Sequence, residues 1–283
     1  MGITVEELIE QAGKLPPFPQ AATKTLELIR NPESNVAEVV SALSVDQVLS
    51  GIVLRWANSA YYGSGMRVAT VHQAVMLLGL YMVYELILSA SMANYLNRPV
   101  PGYDLKRGEL WRHSLGVAFG ARILAQNRGW KNAEEAYFAG LLSDIGKIAL
   151  ESLLRDVDVD RPEMADRSFE TLEQALFGFD HAELGSEMAR RWNFPEPLIA
   201  AIRYHHTPAE AGEYAPLAAA VHVADAAMMM MGVGVGKDGL RYMLDERATQ
   251  ALALTDKELF QLIEKMSSQI RMAELFIGVD GNA

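Results

Sequence analysis

Cysteine is absent from this chain of 283 residues, which excludes disulfides, thiolate metal sites and cysteine nucleophiles and suits a reducing compartment. Basic clusters are missing too. The 36 acidic residues outnumber the 25 basic ones, for a formal charge of −11, and nucleic acid is not an expected partner without grouped Lys and Arg to meet phosphates. No apolar run reaches the roughly 20 residues of a membrane span, the nearest being interrupted by Glu85. The acidic start, Met1 to Glu7, lacks the basic-then-apolar order of a secretory signal. The expectation is a soluble, cytoplasmic protein with no membrane attachment.

What is present is a folded, helical chain. Half of the residues are hydrophobic and 22% are charged, an ordinary globular balance, and apolar residues recur three and four apart between Pro and Gly punctuation. The fold class expected is all-α. Leu15-Pro16-Pro17-Phe18-Pro19 reads as a stiff entry segment, followed by a helix from Ala21 to Ile29. Ser34-Asn35 can cap a helix from Val36 to Leu43, and Ser44 to Asn58 gives the next. Tyr61 to Gly65 is a loop, and Thr70 opens a long apolar region, interrupted at Gly79, that runs to Leu96. Its apolar residues surround the helix, a pattern that calls for burial on all sides and, by that reasoning, packing of the first half against the second. Asn97-Arg98-Pro99-Val100-Pro101-Gly102 is the candidate boundary, dividing the chain into helical lobes of residues 1–97 and 98–283.

Beyond that boundary the pattern predicts helices over Leu105–Asn127, Ala133–Leu153, His181–Trp192, Pro197–His206, Pro216–Met231 and Asp256–Phe276, with an acidic loop over Asp156–Asp166. Gly234-Val235-Gly236-Lys237-Asp238-Gly239 satisfies G-x-G-x-x-G but follows a helical methionine run instead of a strand, so it reads as an inter-helix loop. The methionines, Met228 to Met231, read as core filler.

The chemistry-bearing residues gather in the second half. Glu109 and His113 are four apart on one predicted helix and share a face. Asp144 lies in the apolar run Ala139-Gly140-Leu141-Leu142-Ser143-Asp144-Ile145-Gly146-Lys147, where a bare carboxylate is costly and needs a metal, a hydrogen bond or the cation of Lys147. His181 opens a helix, His205-His206 closes one, where helix-dipole contact is an alternative role, and Asp225 stands among alanines and methionines, three residues after His222. Each has a structural reading. Together they make a nitrogen and oxygen ligand set suited to iron, manganese or zinc.

The region from Leu15 to about Glu274 resembles the HDOD family, the HD-related output domain of bacterial signalling proteins. The resemblance rests on Leu15-Pro16-Pro17-Phe18-Pro19, on Ala57-Asn58-Ser59-Ala60-Tyr61-Tyr62-Gly63 and on Ala74-Val75-Met76-Leu77-Leu78-Gly79. In the second half it rests on the Ala139–Lys147 run and on His222-Val223-Ala224-Asp225. It implies two helical lobes, the second related to HD-type metal-dependent phosphohydrolases, and partners among signalling proteins, sensory or diguanylate-cyclase proteins included. By similarity to the binuclear HD-GYP phosphodiesterases, His113, Asp225 and a bridging Asp144 would serve one metal with Glu109 auxiliary. Asp144, His181, His205 and His206 would serve a second, and Lys147 would face a phosphate. The chain departs from that pattern at Ser143, where the name-giving histidine should stand, and at Thr207-Pro208-Ala209-Glu210-Ala211-Gly212, where Gly-Tyr-Pro should follow the paired histidines. The implied protein is a non-catalytic regulatory module with room for one divalent metal, the alternative being a phosphohydrolase of incomplete ligation.

Overall fold

The computed structural model describes residues 27–28, 31, 33–59, 67–155, 157–158, 167–241 and 244–277, without side-chain detail at 94, 240 and 272–277. The entry segment, the Tyr61–Gly65 loop and most of the helix expected over Ala21–Ile29 and of the Asp156–Asp166 loop lie outside the described residues. Among the described residues there is no strand, only one isolated bridge between Val100 and Leu105. They fall into two compact units, one made of the described residues up to Asn94 together with residues 272–277, the other running from Tyr95 to Arg271.

In the first unit, α1 (Val36–Ser44) starts where the Asn35 side chain accepts from Glu38 N and Glu38 reaches back to Asn35 N, a reciprocal capping box. Asp46 caps α2 (Gln47–Ala57), which buries Leu49, Ile52, Val53 and Trp56. Thr70 and Gln73 form a second capping box for α3 (Val71–Leu78). Gly79, at φ 79°, ends it, and the chain turns by 112° into α4 (Leu80–Leu96). That positive φ is a glycine conformation, so the interruption expected there is a sharp corner. No single described helix is long and apolar enough to cross a membrane.

The second unit is built on α5 (Glu109–Asn127), buried along most of its length from Leu110 to Ala125 and packed between α6 (Ala133–Leu142) and α11 (Ala215–Met230). Between these come α7 (Lys147–Leu154), α8 (Phe169–Phe177), α9 (His181–Arg191) and α10 (Glu196–Arg203), and after them α12 (Glu246–Ala251) and α13 (Asp256–Ile277). Helix α5 begins four residues later than expected, because Leu105 pairs with Val100 and Gly108 takes φ 86°. The methionine run is divided: Met228 is fully buried in α11, whereas Met230 is exposed.

The largest departure from expectation is at the central motif. In place of one helix over Ala133–Leu153 there are two, α6 and α7, joined by a tight turn over residues 143–146. Lys147 N donates to Asp144 O and Ile148 N to Ile145 O, the short three-residue ring of a 3-10 turn. Gly146 allows it, since a Cβ there would collide with the carbonyl of His181. The turn therefore presses directly on the start of α9.

Candidate metal centre

Asp144 projects from that turn, fully buried, and its two oxygens face different neighbours. Oδ1 lies 3.4 Å from His181 Nε2 and 3.9 Å from His205 Nε2. Oδ2 accepts from Lys147 Nζ at 2.9 Å and lies 3.4 Å from His113 Nε2. Helix α5 supplies His113, whose Nε2 lies 2.7 Å from Asp225 Oδ1 of α11 and whose Nδ1 lies 3.1 Å from the Val233 carbonyl. With acceptors at both nitrogens, the ring is satisfied as an imidazolium. Burial opposes that charge, but the bond to Asp225 outweighs it and raises the pKa. Asp225 is correspondingly held below the usual carboxylate range; burial opposes this, and His113 prevails.

On the other side of Asp144, His181 opens α9 one residue after its cap, Asp180. Glu173, fully buried in the middle of α8, holds it: Oε2 accepts from the backbone N of His181 at 2.8 Å and lies 2.7 Å from Nδ1, while Oε1 accepts from Tyr103 Oη at 2.5 Å. Burial lowers the His181 pKa, but the Glu173 carboxylate more than reverses this and lifts it to about 9. His206 Nε2 sits 2.8 Å from His181 Nε2. The helix expected to run to His206 ends at Arg203, and His205 and His206 stand on the bend after it, ring centroids 3.9 Å apart. This bend aims both rings inward instead of stacking them on a helix end. His205 Nδ1 donates to the Ile202 carbonyl, and burial together with the His181 charge pushes its pKa down to about 4. Burial and His205 depress His206 likewise.

Two donor groups result, His181–His205–His206 and His113–Asp144–Asp225, with the offered atoms of each within 4.8 Å of one another. Asp144 touches both. Glu109 is not drawn in: its carboxylate accepts from Lys106 N at 2.6 Å, tying down the segment that leads into its own helix. His222 is bolted into the core, donating from Nδ1 to the His205 carbonyl and accepting at Nε2 from Asp245 N. Lys147 is buried, its ammonium bound to Asp144 and, at 2.6 Å, to Asp238 Oδ2.

A sequence profile of the HDOD domain matches residues 15–208. The chain belongs to the HDOD family. A crystal structure of an HDOD domain protein of unknown function from Geobacter sulfurreducens is 25% identical, with a TM-score of 0.71, 96% of this chain and 95% of that one being covered. A candidate phosphohydrolase from Shewanella amazonensis is 26% identical with a TM-score of 0.66, covering 93% of each chain. An uncharacterized protein from Treponema pallidum (strain Nichols) is 30% identical over 222 residues, 76% of this chain. The chain spans 42% of the length of that relative.

An HD-type domain implies metal, and the two donor groups differ in their fitness for it. On the His181 side, Asp144 Oδ1 and His205 Nε2 are buried with no hydrogen-bond partner among the described residues and face each other. Lone pairs of that kind fit a cation such as iron, manganese or zinc, held by Asp144, His181, His205 and His206. On the His113 side the donors do not fit. Ser143, at the missing histidine, turns its hydroxyl back to the Gly140 carbonyl at 3.1 Å, and Lys147 takes Asp144 Oδ2.

Three site residues escaped the sequence. Glu173 and Tyr103 looked like ordinary helix and turn positions. Asp238 lies in the G-x-G-x-x-G loop, an inter-helix loop as expected, which folds back onto the site: Lys237 N donates to the Tyr103 carbonyl at 2.9 Å. The glycine density of that loop was the available signal. A Cβ on Gly234 would stand 2.6 Å from His113 Cβ and 2.7 Å from the Glu109 carbonyl.

Proposed function

We propose that this HDOD chain is a non-catalytic regulatory module of the bacterial signalling kind, acting by binding partner proteins, with sensory proteins and diguanylate cyclases as the expected class. The reading rests on the closure of its HD-type site. His113, Asp144, Lys147, His181, His205, Asp225 and Asp238 are each no more than 5% exposed, so the half-buried His206 is the one ligand of the set that a phosphodiester could approach from solvent. Two-metal hydrolysis also needs both ions and a shared water, and with Ser143 turned into its own helix one of the two ligand sets is short of a donor. What the fold retains is a rigid helical lobe around a polar centre. A cytoplasmic setting follows from this role.

The test is a phosphodiesterase screen of purified protein supplied with manganese or iron, alongside capture of partners by cross-linking in a bacterial lysate. No turnover and a reproducible signalling partner are expected. Turnover that disappears in Asp144→Ala would overturn the reading. It would favour a second one, a metal-dependent phosphohydrolase of reduced ligation, which the complete His181, His205, His206 and Asp144 set and the name of the Shewanella relative support.

A further inference from the structure

Asp144, Asp225 and Asp238 put three carboxylates in one buried volume, and ionised groups removed from water need partners of opposite charge. The fold supplies two such partners, His113 and Lys147. His113 Nε2 meets Asp225 at 2.7 Å, and Lys147 Nζ spans the other two, 2.9 Å from Asp144 Oδ2 and 2.6 Å from Asp238 Oδ2. Nζ thus occupies the point between two carboxylate oxygens that a divalent ion bridging Asp144 and Asp238 would take.

Several features keep it there. Lys147 is the first residue of α7, so the turn that aims Asp144 inward aims the lysine stem at the same place. Tyr103 places its ring 5.6 Å from Nζ, an electron-rich face beside the ammonium. Asp238 arrives on the glycine-rich loop, which is fastened by Lys237 N on the Tyr103 carbonyl and by His113 Nδ1 on the Val233 carbonyl. No exposed face is left to the lysine, whose side chain is 4% exposed, so it does not stand ready for a phosphate in solution, the role implied by similarity.

We propose that Lys147 is the resident cation between Asp144 and Asp238, at the edge of the His113–Asp144–Asp225 cluster, delivered by the chain in place of a metal. Asp238 is then the residue that makes the substitution work, since it gives the ammonium a second carboxylate that Asp225, engaged by His113, does not supply. The chain accordingly takes at most one divalent ion, on the His181 side. This goes beyond the regulatory reading and does not depend on it, because it concerns ion stoichiometry and not turnover.

Replacing the ammonium by an isosteric apolar group should open the position. We compare the wild type, Lys147→Met and Lys147→Arg by equilibrium dialysis against Mn²⁺ and Zn²⁺ with elemental analysis, following folding by circular dichroism. The expected result is one additional equivalent bound by Lys147→Met over the wild type, no gain in Lys147→Arg, and loss of the gain in Lys147→Met/Asp238→Asn. Two equivalents bound by the wild type, or no gain in a folded Lys147→Met, would overturn the proposal. Should Lys147→Met be unfolded by its uncompensated carboxylates, refolding on addition of Mn²⁺ or Zn²⁺ supports the proposal, and failure of both ions to refold it overturns it.

Discussion

His206 Nε2 stands 2.8 Å from His181 Nε2, a separation at which two imidazole nitrogens need a proton or a cation between them. A proton on His181 meets this need. Glu173 stabilises the charged form of His181, raising its pKa to about 9, and His206, with its basicity depressed by burial and by its neighbours, is left to accept.

An ion can take that proton's place. Protein loaded with iron, manganese or zinc and then desalted should retain one ion per chain, with His nitrogens and an Asp144 oxygen at about 2.0–2.2 Å from it. His205→Ala should lower affinity roughly tenfold or more, as loss of a ligand must at least match loss of a group that orients one. Elemental analysis and titration calorimetry measure both; a chain that retains no ion under any of these loadings refutes the assignment.

Glu173 carries three contacts at zero exposure, from Tyr103 Oη, His181 N and His181 Nδ1. Glu173→Ala should destabilise the protein by about 3–5 kcal/mol, the range for removing one side of a buried, hydrogen-bonded charge pair. Glu173→Gln keeps the shape and one acceptor oxygen and should cost less. Urea unfolding of the two variants gives the comparison.

Gly146→Ala forces a Cβ onto the His181 carbonyl and should cost about 1–3 kcal/mol or more as α9 is pushed away. The contrasting change is Gly51→Ala in α2, where nothing among the described residues lies within 4 Å of the new methyl group. There the helix should gain about 0.5–1 kcal/mol. Thermal melts should move in opposite directions.

Arg128, following α5, binds the Leu252 and Ala253 carbonyls and the carboxylate of Glu258, which also accepts from Thr255 N and Oγ1. The Arg128 bond, aided by Thr255, holds the Glu258 pKa down to about 2, against 4.5 ordinarily. Because the folded value is the lower one, the carboxylate stabilises the fold fully above pH 4.5, and this contribution is lost as pH falls toward about 2. The difference in melting temperature between the wild type and Glu258→Gln should shrink over that window and be reduced by salt.

Legibility in the sequence followed the range of the forces involved. Caps such as Asn35 and the corner at Gly79 were readable because side chain, backbone and consequence lie within four residues. His181, His205, His206 and Asp225 stood out because polar groups in apolar helical surroundings demand partners. The break between α6 and α7 was not readable, since the carbonyl that requires glycine at 146 belongs to His181, 35 positions away in the chain. Asp238 and Glu173 were missed for the same reason: an acidic residue in a loop or on a helix looks solvated until the fold supplies the lysine or histidine it serves.

The fixed imidazoles have a consequence in time as well as in space. His113, His181 and His205 each set Nδ1 against an acceptor built into the fold, the Val233 carbonyl, Glu173 and the Ile202 carbonyl. Neither His181 nor His205 has to rotate to receive an ion or can swing outward to release one, while His206, half-buried on the bend after α10, is the ligand nearest solvent. Entry and escape are then expected on the His206 side, with the residence time of an ion following the motion of the bend over residues 204–207, measured by the hydrogen-exchange rate of its amides.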